Sequence, residues 1–62
     1  MDEEYKKLVK DLTEFMEKHP EVDQIRINGY DYHYLSREKP KEKVLRWDVN
    51  SEKVGNLWWW TY

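Results

Sequence analysis

Cysteine and alanine are both absent from this chain of 62 residues. Without cysteine there is no disulfide to staple a small fold, no thiolate metal site and no thiol nucleophile. Glycine and proline occur only twice each, so no glycine-rich loop is available to cradle a phosphate. Long apolar runs are missing too. Charged residues make up 39% of the chain and the mean hydropathy is −1.16, which excludes a helical membrane span. The opening Met1-Asp2-Glu3-Glu4 is acidic and lacks the apolar stretch of a signal peptide, so a cytoplasmic location is expected. Nor does one sign of charge dominate. Eleven Lys and Arg oppose thirteen Asp and Glu for a net charge of −2, which fits neither a phosphate-driven DNA binder nor an acidic nucleic-acid mimic.

What the chain does have is aromatic bulk, with four Trp, five Tyr and one Phe. A single domain over residues 1–62 buries only about 60% of the surface its unfolded chain exposes. Large rings, each burying roughly 150–250 Å², are the means left for closing such a core. Glu and Lys together fill sixteen positions, beside two Ile and three Asn. With alanine missing, this balance fits a redesigned or de novo chain, or a small phage product.

The first element is an amphipathic helix over residues 2–19. Tyr5, Leu8, Val9, Leu12 and Phe15 or Met16 follow the i, i+3, i+4, i+7 spacing of one helical face. Asp2 suits the N-cap, Glu3 and Glu4 suit the positive end of the dipole, and Lys18, His19 and Pro20 mark the end. Next comes a hairpin turned by Asn28-Gly29, the dipeptide that a type I′ turn selects. A two-residue loop sets Ile27 opposite Tyr30, Ile25 opposite Tyr32 and Asp23 opposite Tyr34. Gly29→Val should then destabilise strongly, since a β-branched residue is strained at positive φ.

Further strands are expected over 43–49 and 55–61, following those at 23–27 and 30–35, with Asn50-Ser51-Glu52-Lys53 as a turn and Gly55 as a possible bulge site. The predicted fold is α+β, an N-terminal amphipathic helix packed on one face of a four-stranded antiparallel β-meander. Its core would hold Tyr5, Leu8, Leu12, Phe15, Ile25, Ile27, Tyr32, Leu45, Trp47, Trp58 and Trp60.

Signals for catalysis are thin. His19 and His33 show no metal-ligand spacing. Ser36 and Ser51 fall in expected turns without a neighbouring base. The thirteen carboxylates form no recognisable acid–base pair. The polar run Ser36–Lys43 carries four cations and two anions, which reads as a solvated loop before it reads as a phosphate finger. No enzyme activity, cofactor or metal is therefore expected.

The triple tryptophan Trp58-Trp59-Trp60 carries the functional expectation. Alternate strand residues point to opposite faces, so three consecutive Trp cannot all lie beneath one helix. Pairing through Val49 and Val54 puts Trp58 and Trp60 inside and Trp59 on the open face, beside Arg46, Leu57, Arg26 and His33. A bulge at Gly55 inverts that assignment. An aromatic face of this kind suits a non-catalytic interaction module that binds a protein partner or itself, through the face or an edge strand. The alternatives are a single-stranded nucleic-acid binder on the same face, or a designed fold with no evolved partner.

Overall fold

The computed structural model describes residues 3–27 and 33–62. Helix α1 spans Glu3–Lys18. Six strands follow: β1 Gln24–Ile27, β2 His33–Ser36, β3 Lys43–Val44, β4 Trp47–Asp48, β5 Asn50–Val54 and β6 Leu57–Thr61. The principal sheet is antiparallel with the order β1-β2-β6-β5, and β3 and β4 form a separate two-stranded ribbon. The α+β class and the four-stranded antiparallel sheet agree with the sequence reading. The strand order is not that of a meander, because the last strand is central and lies between β2 and β5.

Two turns explain the difference. Gly55 has φ 60 and sits first in the two-residue connection closed by Val54 opposite Leu57. That is the position a type II′ hairpin reserves for glycine. Gly55 is therefore a turn residue and not a bulge. The run Asn50–Lys53, expected as a turn, is strand instead. Leu45 and Arg46 likewise close the ribbon between Val44 and Trp47, which removes 43–49 from the sheet.

The β1–β2 register also differs from expectation. Ile25 pairs with Leu35 and Ile27 with His33, a shift of β2 by an odd number of residues that exchanges its two faces. The Asn28-Gly29 turn, Tyr30 and Tyr32 lie outside the described residues. In the observed register Leu35 faces the helix and is fully buried, while Tyr34 turns to the second face. Leucine has no polar atom and gains most from complete burial. A tyrosine on the second face keeps a partner for its hydroxyl, here Tyr62 at 3.3 Å.

The core is Val9 and Met16 from α1, Leu35 from β2, and Leu57 and Trp59 from β6. Tyr5, Leu12, Val22, Ile25, Ile27 and Val54 pack around it. Several expected core residues are elsewhere. Leu8 and Phe15 are exposed on the helix flank, and Leu45 and Trp47 are exposed on the ribbon. Trp58 and Trp60 occupy the second face, since they pair with Ser36 and Tyr34. The buried stripe of α1 runs through Tyr5, Val9, Leu12 and Met16, narrower than the apolar pattern allowed.

One side chain joins the helix end to the sheet. Arg37, just beyond β2, donates from Nη2 to the carbonyls of Met16 (2.8 Å) and His19 (3.0 Å). Its Nε donates to the carbonyl of Val22 (2.9 Å). The last carbonyls of a helix lack internal partners, and a cation there also opposes the negative end of the dipole. Beside this clamp the Phe15 and His19 rings stack at 4.3 Å, and His19 Nδ1 lies 3.2 Å from Glu21 Oε1. A backbone hydrogen bond, with help from His19, holds the Glu21 carboxyl below its ordinary pKa. Its small contribution is present above the unfolded pKa and is lost as pH falls through the lowered one.

Two stability measurements check this arrangement. Trp59→Ala should cost about 3–5 kcal/mol, enough to unfold most of a domain this small, while Trp58→Ala should leave it folded. The reverse order in thermal melts would return Trp58 to the core. Arg37→Lys keeps the charge but not the planar fork, and should cost about 1–3 kcal/mol. An unchanged melting temperature would show that the clamp contributes nothing.

Candidate interaction surface

Of the five residues expected to share an open face, Trp59, Leu57 and His33 come together beneath the helix, and Arg46 and Arg26 lie elsewhere. Trp59 is 6% exposed, and Leu57 is buried beside it under the helix. His33 also faces the helix, in a ring stack between Tyr5 (4.7 Å) and Trp59 (5.2 Å). Arg46 sits in the ribbon turn. Only Arg26 lies on the second face, exposed and opposite Tyr34. The odd register shift, the Gly55 turn and the Leu45-Arg46 turn account for the displaced residues.

The second face is aromatic, with its rings packed on one another and partly exposed. Tyr34 and Trp60 stack at 4.3 Å and 17°, and Tyr62 extends the row at 5.8 Å from Tyr34. Trp60 Nε1 donates to Ser36 Oγ (2.9 Å), which in turn donates to the carbonyl of Glu38 (2.8 Å). Lys39 and Lys53 place their ammonium groups 5.5 Å and 5.9 Å from the Trp58 ring centre, a cation–π arrangement on both counts. Tyr34 retains only 7% exposure. These polar and ring contacts are made within the chain, while Trp58, Trp60 and Tyr62 each remain partly exposed.

The exposed apolar surface lies instead on the ribbon. Leu45 is 89% exposed and Trp47 is 65% exposed. Leu45 has φ 57, and among the described residues it is the non-glycine residue at positive φ. It stands first in its two-residue turn, the place Gly55 takes in the β5–β6 turn. A side chain there costs about 1–2 kcal/mol by clashing with its own backbone. Packing does not repay that strain, because the side chain is in solvent. The ribbon is braced at its base by Val49 N–H donating to the Glu42 carbonyl (2.9 Å) and by Lys43 Nζ near Asp48 Oδ1 (3.8 Å). Arg46 places a cation in the turn itself, whereas Lys43 at the base is paired with Asp48.

Sequence reasoning missed this site because Leu45, Trp47 and Val49 alternate as a core strand would. The signal that could have found it is Gly55-Asn56. A tight turn there claims residues 50–54 as the partner of β6 and leaves 43–49 outside.

Shallow clefts offer the other concave surfaces. One, of about 340 Å³, is lined by Tyr5, His33, Glu52 and Trp59 among others. No group of three or more His, Asp or Glu among the described residues is placed to hold a metal ion. No described helix is long and apolar enough to cross a membrane. Comparison of the chain with family models, with curated proteins and with solved structures finds no match.

Leu45→Gly tests whether the turn is strained for a purpose other than folding. With little packing to lose, the variant should hold or raise the melting temperature, by up to about 1 kcal/mol in stability. A clear fall would mean that Leu45 packs in the folded protein.

Proposed function

We propose that the chain is a non-catalytic protein-binding module whose contact element is the tip of the β3–β4 ribbon. The observation that carries this reading is Leu45, held at φ 57 in solvent beside an exposed Trp47. Unrelieved strain combined with exposed apolar bulk is the pattern of a residue kept for contact. Leu45, Arg46 and Trp47 present an aliphatic group, a guanidinium and an indole over three consecutive positions. Trp and Arg are the residue types over-represented among binding hot spots. The complementary partner is a protein offering an apolar slot with an acidic group opposite Arg46. A single-stranded nucleic acid is the runner-up, because an exposed indole beside an arginine also stacks on bases.

Selection from a displayed random-peptide library against the whole chain tests the proposal. Recovered peptides should combine apolar and acidic residues, and should bind Trp47→Ala and Leu45→Gly at least about tenfold more weakly than the parent chain. Peptides that bind both variants as well as the parent would remove the tip from the site. Salt-sensitive binding of a mixed oligonucleotide that is lost in Trp47→Ala would transfer the ribbon to the nucleic-acid reading. A chain that selects nothing and binds no oligonucleotide would favour a fold without a partner.

A further inference from the structure

The strand register sorts charge between the two faces of the principal sheet. On the side away from the helix, its four strands place two cations, Arg26 and Lys53, and no carboxylate. Glu52, the one acid in these strands, pairs with Trp59 and so faces the helix. Glu3, Glu4, Asp11, Glu14 and Glu17 lie on α1, across the sheet. The net negative charge of the chain is therefore not the charge that this face presents.

Two cations converge on one ring of the face. Lys53 stands opposite Trp58 in the neighbouring strand. The second comes from the connection that leaves β2, where Ser36 Oγ holds the Glu38 carbonyl and Lys39 follows. Their ammonium groups lie 5.9 Å and 5.5 Å from the centre of the partly exposed indole. Both lysines are exposed, and among the described residues neither pairs with a carboxylate. The nearby acids belong to other surroundings. Glu38 lines a cleft with Asp23 and Gln24 toward β1, Asp48 pairs with Lys43, and Glu42 is at the base of the ribbon. The terminal carboxylate of Tyr62 is four residues beyond Trp58, about 13 Å along an extended chain.

Two unpaired ammonium groups beside an indole complement an anion that also carries a flat ring. We propose that this part of the second face binds single-stranded nucleic acid, with a base on Trp58 and the flanking phosphates on Lys39 and Lys53. Base–aromatic stacking outweighs an exposed cation–π contact, so the base takes the ring and the ammonium groups move to the phosphates. A duplex keeps its base faces in its own stack. An acidic peptide would engage the lysines and leave the indole unused. Phosphate contacts and stacking carry little sequence information, so the binding is sequence-tolerant.

Fluorescence anisotropy of a labelled oligothymidylate of about ten nucleotides, titrated with the whole chain, tests this. The logarithm of the binding constant should fall against that of salt with a slope of about −1.4, for two phosphates at about −0.7 each. Lys39→Gln and Lys53→Gln should each weaken binding and reduce the slope by about 0.7. Trp58→Ala should weaken binding about tenfold or more and leave the slope unchanged. Its fold is checked by circular dichroism, and the two lysine variants, both on the surface, decide the matter independently. Trp47→Ala should bind as the parent does, so this inference stands apart from the ribbon. No binding up to about 1 mM chain, binding unchanged in both lysine variants or in a folded Trp58→Ala, or loss in Trp47→Ala would each overturn it. Equal affinity for polyglutamate or for a duplex of the same length would do so too.

Discussion

Arg37 is the point through which the parts of this small fold are tied together. The last carbonyls of helix α1 lack partners within the helix. The guanidinium supplies three donors in one plane to carbonyls from the helix end and the segment that follows it. Because Arg37 directly follows β2, the contact also fixes where that strand stops. The Arg37 backbone N–H meets the Asp23 carbonyl at 3.3 Å, which ties the start of β1 to the same point. Leu35 then lies in the helix-facing core and Tyr34 on the face behind. A loop cation that looked like a solvated or phosphate-contacting group is the cap of the helix.

From that placement the division of aromatic rings follows. β6 pairs with β2 so that Trp59 shares the helix side with Leu35, and Trp58 and Trp60 share the second side with Ser36 and Tyr34. One tryptophan closes the hydrophobic core. Trp58 and Trp60 build a second layer with Tyr34, Tyr62 and two lysines, in which Trp60 Nε1 and the tyrosine hydroxyls find partners. A sheet covered by one helix thus has its far face lined by its own partly exposed rings. That arrangement is a physical answer to the small core a chain of this length can build.

Exposed apolar surface is what remains for contact with other molecules, and it occurs in two places of different character. The ribbon tip is strained at Leu45 and exposes Leu45 and Trp47. The second face sets partly exposed rings beside Lys39 and Lys53. The first suits insertion into a pocket, and the second suits stacking against a flat anionic ligand. The tryptophan pattern suggested an aromatic second face, but with Trp59 in the place that Trp58 and Trp60 hold.

Local signals in the sequence determined the helix almost to the residue. Its apolar period, its acidic start and the proline after its end all act within a few positions, and tertiary contacts had no reason to override them. The antiparallel α+β class was legible for the same reason, since alternation and turn residues are local properties. Which face each strand residue occupies was not. An odd register shift leaves every local preference satisfied while exchanging all the side chains between faces. The alternation of Leu45, Trp47 and Val49 is equally good for a core strand and for a ribbon in solvent. Only the tertiary structure decided between them, because burial of Leu35 and Trp59 beneath the helix, and the donors of Arg37 at its end, are gained in one register and lost in the other.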